Sequence, residues 1–350
     1  MPVITASQLE EFARSLFVAA GVAAEDARVV AASLVGANLR GMDSHGVMRV
    51  PYYIAAVQEG RMHPGAPLQV VSETPASLVC DAGWGFGQVQ ARRLIGRLAP
   101  KAQSLGVACG AMQRSGHIGR VGEYAEMAAT AGLVLIAMVN GHGAAPRVAP
   151  PGGRQPRLAT NPLCVGVPTG GDPIVLDFGT SATAEGKVRV RRIAGQQCPP
   201  GWLIDSNGKP TTDPNSLYGD PPGSILPMGG DQAYKGFGLA LVIDALTGGL
   251  SGGQSAHPNP EPALGNDVVF ILLSPARFGG MDHFVGQVAG LSAYVRSCPT
   301  AEGVKEILLP GDPERRTLAD RSAKGIPIDD GNWKQLVELA AKLGVKVAER

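Results

Sequence analysis

Between residues 7 and 40, apolar positions recur with helical spacing in two segments, one from Ser7 to Ala20 and one from about Glu25 to a stop at Gly41. Ser7 followed by Glu10 has the spacing of a capping box, so the first helix is expected to start at Ser7. The pattern changes near Ser77. From there, short apolar runs of strand character alternate with glycine-punctuated helices: ASLVC (76–80), a helix over 88–99, GVACGAM (106–112), a helix over 120–131, and LVLIAMV (133–139). Such alternation builds an α/β sheet core. Further strands are expected at LCVGVP (163–168), PIVLD (173–177) and DVVFILL (267–273), with an apolar helix over 236–247. Stretches 141–157, 195–230 and 252–266 are rich in Gly, Pro and polar residues and read as long loops over the surface or around a site. DDGNWKQLVELAAKLG (329–344) reads as an amphipathic helix capped by Asp329 or Asp330.

Composition narrows the class. A chain of 350 residues that is 44% hydrophobic and 17% charged can bury a large core, expected in two lobes. A formal net charge of +1 without any Lys/Arg run leaves no electrostatic footprint for nucleic acid. No apolar run approaches the roughly 18 to 20 residues of a membrane span, and AGLVLIAMV (131–139) reads as a buried strand, so no membrane partner is expected. The start, MPVITASQLEEF, has neither the basic region nor the apolar stretch of a secretory signal, so the mature chain is expected to begin at or near Met1. Five widely spaced cysteines without a CxxC suit a reducing cytoplasm, where they act as small buried hydrophobes, and no residues have metal-ligand spacing.

The most informative stretch is GMDSHGVMRVPYY (41–53). If the chain from Ser44 makes one helical turn, His45 and Arg49 at i and i+4 share a face, with Cβ atoms about 5–6 Å apart. Pro51 then opens the next helix, where a missing N–H costs nothing. A guanidinium offers a planar fork to a carboxylate, and imidazole exchanges a proton near neutrality. Together they fit a small 2-hydroxy or 2-oxo acid: Arg49 holds the carboxylate, His45 moves the proton on the adjacent oxygen as a hydride moves, and Ser44 orients the ring. A plainer reading of the same residues has Asp43 and Ser44 capping a helix, His45 half-buried and Arg49 as a surface cation. Spacing alone does not separate the two. Asp43 and His45 are also a weak metal pair, with no third ligand spaced for it.

Three glycine-rich segments suggest ligand contact. VCDAGWGFGQV (79–89) looks like half a dinucleotide fingerprint, but its pattern is GxGxG, and Gln113 stands where an acidic residue should end the next strand, which excludes a Rossmann domain. RSGHIGRVG (114–122) follows a strand and precedes a helix. Its glycines at 116, 119 and 122 allow close backbone approach, and the helix start favours an anion. In LDFGTSATAEG (176–186) a strand ends at Asp177 and releases polar groups at its carboxyl end, where α/β proteins usually bind ligands.

These segments, with GFGQVQA (85–91), SGHIGRVGEYAE (115–126), TNPLCVGVP (160–168), LDFGTSATAEGKVRV (176–190), PPGWLIDSNGKPTTDP (199–214), YKGFGLAL (234–241) and LLPGDPE (308–314), resemble the blocks of the malate/L-lactate dehydrogenase-like family along nearly the whole chain. The resemblance implies an α/β, non-Rossmann nicotinamide-binding fold, with residues 1–74 and 311–350 as a helical substrate and dimerisation lobe and 75–310 as the cofactor domain. It implies NAD or NADP as cofactor, a homodimer with the active site near the subunit boundary, and a cytoplasmic oxidoreductase interconverting a 2-hydroxy acid and a 2-oxo acid. By resemblance His117 joins Ser44, His45 and Arg49 in catalysis, and Thr160 contacts the substrate with Arg49. The cofactor would be lined by His117, Ile118, Gly119, Arg120, Val121, Asp177, Phe178, Gly179 and Lys235, with Pro310 and Gly311 in a turn closing over it. Arg120 is one candidate partner for a 2′-phosphate.

Two departures stand out. The imine-reductase branch has an aspartate where this chain has Lys187, which disfavours Δ1-pyrroline/piperideine-2-carboxylate reduction, the alternative reading. GGDQAYKG (229–236) is two residues longer than the family's shortest form, so contacts around Lys235 are open. A non-catalytic nicotinamide or metabolite sensor is the alternative of another class.

Overall fold

The computed structural model describes residues 1–143, 146–258 and 265–348, so parts of two expected loops, 144–145 and 259–264, lie outside the described residues. The first helix, α1 (Ala6–Ala19), is capped two residues earlier than Ser7: Thr5 Oγ1 accepts the Gln8 N–H at 3.3 Å, and Gln8 Oε1 takes the Thr5 N–H at 3.4 Å. Thr5-x-x-Gln8 satisfies the same box as Ser7-x-x-Glu10, and the short strand β1 (Val3–Ile4) before it fixes the choice. α2 (Ala24–Leu39) follows, and α3 (Val50–Gln58) opens with Pro51 in its first turn, as the sequence predicts. Near the other end α9 (Asp312–Lys324) leads to β12 (Ile326–Pro327), which pairs antiparallel with β1. α10 (Asp330–Leu343) is capped by Asp329, whose carboxylate accepts the Asn332 N–H at 2.9 Å. These helices bury one apolar cluster that includes Phe12, Leu16, Leu34, Tyr53, Trp333 and Leu336 and reaches Phe86 and Val89.

The second cluster lies under the main sheet, which among the described residues has seven strands in the order β2-β3-β4-β11-β5-β6-β7. They are β2 (Gln69–Glu73), β3 (Ser77–Asp81), β4 (Val107–Gly116), β5 (Val134–Val139), β6 (Pro162–Val167), β7 (Ile174–Gly179) and β11 (Gly265–Leu273). Only β3 and β4 run parallel, joined by α4 (Gly87–Leu105); the other neighbours are antiparallel. α4 continues past the expected stop at Pro100, because Ala102, one turn beyond Leu98, is fully buried with Leu94 and Leu98 against the sheet. α5 (Gly122–Thr130), α6 (Glu185–Ile193), α7 (Ala233–Ser251) and α8 (Met281–Arg296) complete the helices used here.

The stretch 195–230 is not a plain loop. It carries a three-stranded sheet, β8 (Leu203–Ile204), β9 (Pro210–Thr211) and β10 (Ser224–Ile225), over its own apolar cluster of Val148, Val188, Leu203, Leu217 and Ile225. Strands of two residues are too short to leave an alternating pattern. Of the five cysteines, all free, Cys80, Cys164 and Cys198 are buried, but Cys298 is exposed, so the expectation of buried thiols fails there. Among the described residues no helix is long and apolar enough to cross a membrane.

Candidate functional site

The DSHG segment is not one α-helical turn. It makes two 3-10 turns, Asp43–His45 and Val47–Arg49, interrupted at Gly46. A side chain at 46 would have its Cβ 2.2 Å from Asn38 Oδ1, so glycine leaves room for the Asn38 amide that organises the turn. Asn38 Oδ1 accepts the Val47 N–H at 2.8 Å, and its Nδ2 donates to Asp43 Oδ1 at 2.6 Å. Arg321 of α9 donates to both Asp43 oxygens, at 2.7 and 3.1 Å. Asp43 is therefore a structural anchor. No group of three or more His, Cys, Asp or Glu among the described residues is placed to hold a metal. Arg49 folds back, with Nε donating to the Ser44 carbonyl at 2.8 Å. Ser44 Oγ lies 3.0 Å from His45 Nδ1 and orients the ring. Against the back of Ser44 packs the start of α6, where a Cβ on Gly186 would come within 2.7 Å of the Ser44 Cβ. The glycine of SATAEG is thus what lets α6 seat on the DSH turn.

His117, just past β4, lies over His45 with ring centroids 5.5 Å apart and 20° between planes. Its Nδ1 receives the Gly119 N–H at 3.3 Å and lies 2.7 Å from Tyr53 Oη, to which Gln88 Nε2 donates at 3.0 Å. A backbone amide only donates, so the neutral ring has its proton on Nε2, and the Tyr53 hydroxyl donates to Nδ1. Gly119 permits this through a left-handed φ of +74°.

Electrostatics keep both rings neutral. Burial pushes His45 down to about 4, and the guanidinium groups of Arg49 and Arg120 add to the effect. His117 is held well below its ordinary value by burial first, then by Arg49 and His45. Burial pushes Tyr53 up to about 12, so it remains a donor at neutral pH. Arg49 is half-buried and makes no ion pair among the described residues. Asp177 is raised by burial, a tendency opposed by the Gly122 N–H, which donates to it at 2.7 Å, and by Arg120.

The two histidines line a cavity of about 410 Å³ together with Ser44, Ile118, Gly119, Arg120, Val121, Thr160, Asp177, Phe178 and Gly179. Four residues named from the sequence are elsewhere. Arg49 is not part of that wall, although its charge acts on both rings. Lys235 is exposed in the first turn of α7, above the Tyr234 ring at 5.8 Å. The Pro310 carbonyl accepts the Val175 N–H at 3.2 Å, and Gly311 lines an adjoining cavity of about 320 Å³ that shares Met42, Arg120 and Asp177 with the first.

Sequence reasoning missed Tyr53 and Gln88, and also the wall residues Asn140, Asn161, Thr183 and Asn266; Lys187, singled out there as a departure, is in the wall too. Asn161 and Thr183 fall inside the recognised blocks; the role of Tyr53 depends on a contact 64 positions away. Asn161 Oδ1 and Thr183 Oγ1 are buried without a hydrogen-bond partner, while Asn140 and Asn266 are tied up: Asn266 Oδ1 accepts the Ile118 N–H at 3.0 Å, and its Nδ2 donates to the Asn140 carbonyl at 2.7 Å. Orphaned amide and hydroxyl oxygens in a wall with a glycine-lined turn fit a ligand that has both a carboxamide and ribose hydroxyls.

This mixed-sheet α/β chain has counterparts among known proteins. Residues 4–337 match the family model described as malate/L-lactate dehydrogenase, and the chain belongs to that family. It is 38% identical over 346 residues to hydroxycarboxylate dehydrogenase B of Escherichia coli O157:H7, covering 97% of this chain and 94% of that protein. Among solved structures, sulfolactate dehydrogenase from Methanocaldococcus jannaschii is similar with TM-score 0.87 and 32% identity, covering 99% of this chain and 98% of that one. Delta1-piperideine-2-carboxylate reductase from Pseudomonas syringae pvar. tomato is similar with TM-score 0.84 and 32% identity, covering 97% and 100%.

Proposed function

We propose that this oxidoreductase interconverts a 2-hydroxy acid and its 2-oxo acid in the histidine-lined cavity, using NAD or NADP bound on the mixed sheet and not on a Rossmann unit. The observation that carries the reading is the Arg49 guanidinium, which has no ion pair among the described residues and whose charge acts on two neutral, stacked imidazoles. Arg49 binds the substrate carboxylate. His45, oriented by Ser44, takes the hydroxyl proton during oxidation and returns it during reduction. His117 presents its Nε2–H as a donor to the same oxygen, fixed by Tyr53 and Gly119, and Thr160 contacts the substrate. The nicotinamide, when bound, supplies or accepts the hydride. Asn161, Thr183, the turn from Ile118 to Val121 and the stretch Asp177–Gly179 would hold it, and Lys235, Pro310 and Gly311 complete the cofactor's surroundings by family resemblance.

Arg49 also couples binding to protonation. Its charge is one reason His45 stays neutral, so a carboxylate that cancels that charge makes the imidazolium easier to form only when substrate is present.

The same reading assigns residues 1–74 with 311–350 to a substrate and dimerisation lobe, residues 75–310 to the cofactor domain, and the protein to the cytoplasm as a homodimer. α8 supports the dimer: it has no buried residue, and it exposes Leu291 and Tyr294.

The imine-reductase reading is disfavoured because Lys187, on α6, lines the cavity at the position where that branch has an aspartate. Following the absorbance of NADH and NADPH against a panel of 2-oxo acids, with Δ1-pyrroline-2-carboxylate alongside, tests the assignment. Oxidation of a reduced cofactor by one or more 2-oxo acids is the expected result, and turnover of the imine alone overturns it.

A further inference from the structure

The smaller cavity has a charge pattern that the reading above leaves unused. It adjoins the histidine cavity through Met42, Arg120 and Asp177, so a dinucleotide whose nicotinamide lies near His45 and His117 extends its adenosine half into it. We infer that this cavity receives an adenosine ribose without a 2′-phosphate, so the protein selects NAD(H) over NADP(H), with Glu126 as the residue that decides it. The inference rests on the proposed nicotinamide site.

Arg120, the sequence's candidate for a 2′-phosphate, has no charge to spare. It is only 5% exposed, and its guanidinium is 2.8 Å from Glu126 Oε2. Arg40 approaches the same carboxylate from its other side, at 2.9 Å to Oε1 and 2.8 Å to Oε2. Glu126 therefore sits between two arginines and occupies the fork that a phosphate would need. Arg315, the remaining arginine of the wall, pairs with Asp312 and donates to the Pro173 carbonyl at 2.7 Å.

Facing these satisfied cations, Asp177 and Glu314 line the cavity and make no ion pair among the described residues. Counting Glu126 and Asp172 with them, four carboxylates meet three guanidinium groups, so the lining is net negative by one charge. A ribose diol donates its O–H groups to such carboxylates. A phosphate dianion is repelled by them and finds no free arginine.

The test is a titration with NADH and with NADPH, followed by the fluorescence of the reduced nicotinamide, which reads binding without turnover. NADH is expected to bind at least about tenfold more tightly. Glu126→Gln frees Arg40 and Arg120 and is expected to narrow that ratio by tightening NADPH. Because E126Q also strips two arginines of their partner, Glu314→Gln is the second variant; it removes a repelling charge on α9 and is expected to narrow the ratio less. Equal affinities, or tighter NADPH, in the unaltered protein overturn the inference alone. A ratio unmoved in both folded variants overturns the role of Glu126. Absence of any fluorescence change with either dinucleotide overturns the nicotinamide site beneath it.

Discussion

Histidines at two places in this molecule are withdrawn from water to different degrees and differently used: His142 is buried, whereas His45 and His117 are half-buried. His142 is 3% exposed, and its Nδ1 lies 2.9 Å from both oxygens of Asp267, which is fully buried. The same carboxylate accepts the N–H groups of Arg114 at 3.2 Å and Gln254 at 3.0 Å, and Trp84 presses edge-on against the ring at 5.0 Å. The Asp267 carboxylate is thus met by the ring and two backbone N–H groups, and the result is a clamp that fastens the segment after β5 to the irregular start of β11. Among the described residues neither His45 nor His117 makes an ion pair or hydrogen bond with a carboxylate. Their partners are hydroxyls and one amide, and the charge that acts on both, that of Arg49, has the same sign as their own protonated forms. The difference in exposure is one of degree and does not by itself set their use. What does is whether the surrounding charge is already balanced, because only an unbalanced site has free energy to gain from a charged ligand.

Removing one ring from each set exposes that difference. His45→Ala is expected to lower kcat by about 10²–10⁴ while leaving melting temperature and reduced-cofactor affinity near those of the unaltered protein. His142→Ala is expected to do the reverse. Loss of a buried ring and of a hydrogen bond to a carboxylate should destabilise the fold by on the order of 3 kcal/mol, read as a lower denaturation midpoint, with the remaining folded enzyme turning over normally. If His142→Ala lost turnover at unchanged stability, the clamp would belong to the chemistry and the contrast would fail.

Arg49→Met comes next. The substrate carboxylate would lose its cation, with an expected fall in kcat/KM equivalent to about 2–5 kcal/mol. Comparing an acid with its uncharged amide sharpens the result: the amide, which never used the guanidinium, should lose little. An equal loss for both would mean that Arg49 serves only to hold the Ser44 turn.

Legibility followed the range of the interactions. The strands under the sheet cluster and the helices of the ends were readable because their signals are local: continuous apolar runs for β5 and β11, a Pro in the first turn of α3, and Asp329 at the start of α10. Even a local signal misleads when two solutions coexist, as Thr5 and Ser7 show. The residues His45, His117, Thr160 and Asp177 were legible as site candidates through recognisable blocks. What holds them was not. Asn38 and Arg321 shape the DSHG turn from α2 and α9, and Gln88 and Tyr53 set the His117 tautomer from α4 and α3. Such contacts depend on tertiary packing, which periodicity does not encode. The i, i+4 argument for His45 and Arg49 missed for the same reason: Asn38 fills the space under Gly46 and breaks the turn between them.

Tyr53→Phe is expected to have a smaller effect, about 1–3 kcal/mol in transition-state stabilisation. The ring keeps its packing against Phe86 while His117 Nδ1 loses its hydroxyl donor and keeps only the Gly119 N–H. With a second tautomer then competing, kcat should fall and KM should change little. A rise in KM alone would place Tyr53 on the binding side.

The finest test is the pH profile, because it asks whether the unbalanced charge is felt by the ring. His45 is displaced from an ordinary value of 6.5 to about 4, so its neutral form, the one that accepts a hydroxyl proton, dominates down to mildly acid pH. For oxidation, kcat/KM reports the free enzyme and is expected to stay level above about pH 5 and to fall below it, with its midpoint near the displaced value. The sign for kcat differs in one respect. A bound carboxylate neutralises Arg49, so the midpoint of kcat should lie higher than that of kcat/KM. In Arg49→Met the kcat/KM midpoint should also rise, since one cause of the depression is gone. It should stay below 6.5, because burial is the larger cause and remains. Should the unaltered protein titrate at 6.5, or should Arg49→Met leave the midpoint where it was, His45 would be a solvated or separately compensated ring, and the distinction drawn between it and His142 would lose its electrostatic basis.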